Sequence, residues 1–171
     1  HELADVYART RVMLEPVDYL GLRFTGRAAA THASMILSWL TDNRVGAPAA
    51  YVPDLVRRAR RDPARLPELL PTGLVLGPLL AEVADELGLD GAAGAPVVCG
   101  VPDLHAAILA SGTIEPFETH IALSTTAWIS ARVPFKRTDV LHQMATVPGL
   151  DPQHPLVANN QEVGASALQW L

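Results

Sequence analysis

The chain has 171 residues, of which 49 % are hydrophobic and 18 % charged, with a mean hydropathy of +0.20. That is too apolar for a disordered segment, and the length suits one domain or parts of two. A formal net charge of −5 and an isoelectric point near 5.6 argue against a dedicated nucleic-acid binder, which carries a basic face.

No stretch approaches the roughly 18 uninterrupted apolar residues of a membrane span. The single cysteine, Cys99, rules out an internal disulfide and fits a reducing, cytoplasmic setting. It lies in the apolar run Pro96–Val101, where a small buried hydrophobe is the simpler reading than a nucleophile. The first residues lack the basic-then-apolar order of a signal peptide, and the last ones stop inside an apolar-periodic segment. Both ends read as cut, so the expectation is an interior piece of a longer chain.

In chain order, residues 3–25 read as helix interrupted near Glu15-Pro16, with Pro16 suited to a first helical position and Gly26 as the stop. A short helix is expected over 34–37, a loop over 43–48, and a helix over 50–64. The basic run Arg57, Arg58, Arg60 and Arg61 falls in that helix and reads as a solvated face. Residues 78–87 form another expected helix, opened by Pro78 and ended by Gly88, before a glycine- and alanine-rich link over 90–96. The character then changes. Strands are expected over 97–101, 119–124, 128–133, 142–147 and 156–160, with helices over 103–111 and from Gly164 onward. A mainly helical half thus precedes a strand-rich half, with a boundary in the region 90–102.

Three constellations could carry chemistry. The strand ending in Gly100-Val101-Pro102 delivers Asp103 at once to the start of a helix. A carboxylate there faces the crevice where α/β proteins bind ligands, or it serves only as the helix N-cap. Ser124-Thr125-Thr126 puts three hydroxyls in a turn between two strands, which can cradle a phosphate or be a plain hairpin turn. The stretch from Asn159 to Ala165 leads a strand into a helix start, a position friendly to anions or sugars, or one where Asn and Gly simply make a turn. The six histidines show no zinc-ligand spacing, and Asp103 and His105 do not share a helix face. Neither a P-loop nor a dinucleotide fingerprint occurs, and no serine sits at a nucleophile elbow.

Taken in order, these pieces resemble the FGGY carbohydrate kinases. Residues 15–26, EPVDYLGLRFTG, resemble the family's "kDYL…rLTG" segment. Leu69-Leu70-Pro71-Thr72-Gly73 followed by Val75–Leu79 resembles "LP…G…G.l". Residues 95–103, APVVCGVPD, resemble "tPVv.GggD", Ile121–Thr126 resembles the "slGTS" turn, and Gly164–Leu171 resembles "gg.alrWl". The resemblance covers nearly the whole chain.

It implies an α/β chain of the actin-like, ribonuclease-H-like ATPase fold, with two domains around a cleft. Residues 1–95 would be the C-terminal part of a first, sugar-binding domain, and residues 96–171 the start of a second, nucleotide-binding domain. Asp103 would be the general base and, with His105, would touch the sugar. Ser124, Thr125 and Thr126 would face the phosphates of ATP, which brings magnesium with it. No metal ligand is assigned within the chain. The implied activity is phosphorylation of a sugar hydroxyl, with a ketopentose such as xylulose as acceptor. The implied partners are sugar and ATP, not nucleic acid or membrane, with a homodimer allowed.

The sequence departs from the family pattern at three places. Leu104 stands where asparagine often follows the base, Ser124 replaces a glycine, and Val101-Pro102 replaces Gly-Gly. An alternative of a different class, a non-catalytic actin-like module that binds sugar or nucleotide, stays open on those departures. The isolated chain is expected to be inactive, because the family's N-terminal phosphate hairpin and its adenosine-binding segment have no match in it.

Overall fold

The computed structural model describes residues 3–170, and its backbone divides into two units, residues 1–42 with 49–101 and residues 43–48 with 102–171.

Among the described residues, the first unit holds four short α-helices, two 3-10 turns and two small sheets. Helix α1 spans Ala4–Arg9 and α2 spans Pro16–Thr25, with Pro16 at its first turn and the chain leaving at Gly26. Residues Ser34–Ser38 form a 3-10 turn, and α3 spans only Pro53–Arg58. The sequence predicts a longer helix here. Arg60 takes a φ of 53° and Pro63 lacks an N–H, so the chain breaks and resumes as a 3-10 turn over Pro63–Arg65. Arg57 and Arg58 both pair with Asp54 in solvent, the latter at 2.7 Å, as a solvated basic face should.

Strand β1 (Ala29–Thr31) pairs in parallel with β2 (Glu68–Leu70). Strand β3 (Val75–Pro78) pairs antiparallel with β4 (Pro96–Val98). Helix α4 therefore spans Ala81–Glu86 and does not start at Pro78. Both strands of the second pair carry prolines, which a two-stranded sheet tolerates because each strand has a free edge.

Helix α2 lies close on this framework. A Cβ at Gly100 would stand 2.1 Å from Val17 Cγ2, so only glycine permits the helix to approach the chain leaving β4. Ala29, Leu70, Leu76 and Cys99 form one buried cluster, and Leu79, Val83 and Ala84 form a second with Phe24 packed against it. Cys99 is thus a core residue, and burial pushes its thiol pKa up.

In the second unit, helix α5 spans Asp103–Ser111, as the sequence predicts. Strands β5 (Thr119–Leu123), β6 (Ala127–Arg132), β7 (Met144–Asp151) and β8 (His154–Gln161) form an antiparallel sheet in the order β5-β6-β8-β7. Helix α6 follows over Ser166–Trp170. The pairing registers Ala122↔Trp128 and Trp128↔Asn160 put these three residues on one face. His120 and Ser130 pair on the same face, where both are buried. The loop 43–48 packs in this unit, with the Gly46 amide donating to the Pro152 carbonyl at 2.9 Å.

Candidate functional site

Helix α5 opens with Pro102 at the N-cap position, so Asp103 is the first helical residue. Asp103 is therefore not the cap residue that the simpler sequence reading makes it. Its exposed carboxylate accepts the Leu104 amide through Oδ1 at 2.7 Å, which holds it at the helix start. Asp103, Leu104 and Ala107 line one side of a pocket of about 280 Å³. His120, Ala122, Ser124 and Trp128 of the sheet line the rest. The structure thus brings together Asp103 and Ser124, which lie far apart in sequence.

The turn after β5 is tightly built. The Ser124 amide donates to the Thr126 carbonyl at 2.8 Å, and its hydroxyl donates to the same oxygen at 3.1 Å. Thr126 Oγ1 accepts the Trp128 indole N–H at 3.1 Å. From the other side, the Gly164 and Ala165 amides donate to the Thr125 and Ser124 carbonyls, each at 2.8 Å, and the Ser166 hydroxyl donates to Thr125 at 3.0 Å. Among the described residues, the Thr125 and Thr126 amides have no acceptor. Two adjacent free N–H groups in an exposed turn suit an anion. Ser124 is not among the residues with positive φ, so its replacement of a glycine carries no backbone strain.

The third stretch fits the simpler of its two sequence readings, a turn. The Gly164 and Ala165 amides are consumed in binding the turn, so they brace it and do not meet a ligand. Asn160 donates through Nδ2 to Glu162 Oε1 at 2.9 Å, and its buried Oδ1 has no partner among the described residues.

His105, expected beside the substrate, is 2 % exposed. Its Nε2 lies 2.8 Å from the Pro148 carbonyl oxygen and must carry the proton there, while buried Nδ1 has no partner among the described residues. Burial lowers its pKa, which favours the neutral ring. The two-residue offset from Asp103 turns His105 to the core side of the helix while Asp103 stays outside. Trp128 and His120 escaped the sequence reading. Only the strand alternation from Ala122 through the turn could have put them on the Asp103 side of the sheet.

Among the described residues, no group of three His, Cys, Asp or Glu side chains could hold a metal ion. No described helix is long and apolar enough to cross a membrane.

No protein-family model matches the sequence, and no curated protein matches it. Solved structures do. A xylulose kinase from Rhodospirillum rubrum superposes with a TM-score of 0.85 over 98 % of this chain and 33 % of its own, at 24 % identity. The chain has the fold of a sugar-kinase segment. A xyloylose kinase from Brucella ovis matches at a TM-score of 0.84 and 24 % identity, covering 98 % of this chain and 34 % of that one. A Plasmodium falciparum glycerol kinase, solved with ADP, matches at a TM-score of 0.75 and 13 % identity, over 99 % and 34 % of the two chains. This chain therefore spans about a third of the length of the sugar kinases whose fold it shares.

Proposed function

We propose that the chain works as the central segment of a longer ATP-dependent sugar kinase, with Asp103 as the general base. The observation that carries this reading is the shared pocket of Asp103 and Ser124, in a chain with the fold of sugar kinases. In this reading the first unit closes the sugar-binding domain and the second opens the nucleotide-binding domain.

The chemistry asks for these groups. A sugar hydroxyl is a poor nucleophile, and a placed carboxylate can take its proton as the oxygen attacks the terminal phosphorus of ATP. The new bond joins the sugar oxygen to phosphorus, the bond to the bridging oxygen breaks, and ADP leaves. Charge spreads over the phosphoryl oxygens at the transition state, where the Thr125 and Thr126 amides and the Thr126 hydroxyl act as fixed donors. Magnesium would travel with the ATP phosphates. The described residues offer it no side-chain cluster, so no step of this reading depends on a metal held by the chain. The acceptor is a ketopentose such as xylulose, supported by the xylulose kinases among the structural neighbours.

The test is sugar-dependent ADP release by the full-length protein across ketoses, aldoses and polyols, wild type against Asp103→Asn. Turnover with one sugar class, lost in the variant by about 10²- to 10⁴-fold while nucleotide still binds, supports the reading. A folded, nucleotide-binding protein that no sugar drives is instead a non-catalytic binding module. The 171 residues alone should release no ADP with any sugar.

A further inference from the structure

Trp128 stands at the junction of the pocket and the turn. It is 37 % exposed, it walls the same pocket as Asp103 and Ser124, and its Nε1 lies 3.1 Å from Thr126 Oγ1. An indole N–H can only donate, so Thr126 Oγ1 must be the acceptor. That settles the direction of the threonine hydroxyl: with one lone pair taken, its own hydrogen is left to donate elsewhere. Ser124 has the opposite fate, because its hydroxyl hydrogen is spent on the Thr126 carbonyl at 3.1 Å. The Ser124 and Thr126 hydroxyls are therefore not equivalent, and it is Trp128 that makes Thr126 an acceptor on its indole side.

We infer that Trp128 is a positioning residue that sets Thr126 as a hydroxyl donor to an anionic phosphate oxygen and lays its ring along the pocket beside Asp103. This rests on the kinase reading for the identity of the anion, a nucleotide phosphate. It goes beyond that reading in assigning a role to a side chain off the turn, and in ranking Thr126 above Ser124 as the hydroxyl that meets the ligand. A purely structural indole would give the turn its shape without affecting phosphate affinity.

The experiment is a double-mutant cycle in the full-length protein with Trp128→Phe and Thr126→Val, reading the KM for ATP, the KM for the sugar and kcat separately. Trp128→Phe keeps the ring and removes only the N–H. The expected result is a rise of about tenfold in the KM for ATP in each single variant, with no further rise in the double variant and an unchanged KM for the sugar. Additive effects, or an unchanged KM for ATP in Trp128→Phe, would overturn the inference. A second readout does not need turnover. With every other tryptophan of the full-length protein changed to Phe, Trp39 and Trp170 among them, Trp128 is the sole tryptophan, and its emission is followed during titration with ADP. A saturable change that weakens about tenfold in Thr126→Val supports the inference, and an unchanged affinity overturns it. Loss of sugar-driven turnover with that coupling intact would sink the kinase reading and leave the Trp128 assignment standing.

Discussion

Gly164 lies so close to the backbone of Thr126 that a Cβ at position 164 would stand 2.5 Å from the Thr126 carbonyl carbon. The chain before α6 is thereby pressed onto the turn after β5, and the Gly164 amide bonds Thr125 at 2.8 Å from the same position. Backbone, not a flexible side chain, opposes any substituent, so nothing can step aside.

Gly164→Ala should therefore displace the turn. We expect a stability loss of about 1–3 kcal/mol and weaker nucleotide binding. Ser166→Ala removes one bracing hydrogen bond without a clash and should cost about 1 kcal/mol or less. Chemical denaturation and ADP titration of the two variants distinguish overpacking from the loss of a single bond.

The corresponding contact in the first unit is Gly100 against Val17, with 2.1 Å between an added Cβ and Val17 Cγ2. Valine is stiff at χ1 and has little room to rotate away. Gly100→Ala should destabilise by about 1–3 kcal/mol, and Val17→Ala in the same chain should restore part of that loss. Denaturant midpoints of the single and double variants measure the coupling; strict additivity would refute the contact.

Asp18 is 4 % exposed, with Oδ1 accepting the Ser34 hydroxyl at 3.0 Å and Oδ2 without a partner among the described residues. Burial pushes its pKa up to about 6 from 3.8. The folded chain thus holds this proton more tightly than the unfolded chain does. Its contribution to stability is full below pH 3.8 and falls as pH rises through 6, by roughly 1–3 kcal/mol. Denaturation across pH 4 to 7 should show this fall in the wild type, and Asp18→Asn, which keeps an acceptor for Ser34, should lack it.

His105 titrates in the opposite sense. Its folded pKa is lowered below 6.5 by burial, against smaller opposing effects of the Pro148 carbonyl and Asp103. The unfolded chain takes the proton first, so stability present above pH 6.5 is lost as pH falls below it. A charged ring would also carry a buried Nδ1–H with no acceptor among the described residues. The ring resonances of His105, followed by NMR, should titrate below 6.5. A His105 titration at or above 6.5 would contradict the buried geometry.

Parts of this molecule could be read directly from the chain. Helix α5 begins and ends where the sequence predicts, because an apolar run bounded by Pro102 and Gly112 carries its own start and stop signals. Strands β5 and β6 and the hydroxyl turn between them are legible for the same reason, since two alternating runs flank a short polar gap. The strands β1, β2 and β3 are not, being three or four residues long, too short for a period to show. Each exists only through its partner: β1 finds β2 some forty residues on, and β3 takes Pro78 away from the expected helix.

The sequence by itself determined the type and order of the long elements, the buried state of Cys99, and a carboxylate and a hydroxyl turn as the groups worth watching. These follow from local periodicity and from residues whose backbone preferences act within a few positions. The tertiary structure alone decided that Asp103 and Ser124 share a pocket, that His105 faces inward, that the Asn159–Ala165 stretch braces the turn, and that the loop 43–48 packs against the β7–β8 connection. Those outcomes depend on which distant segments pair and on which side of a helix or strand each residue falls. That choice is made by burying surface between elements, and no window along the chain contains it.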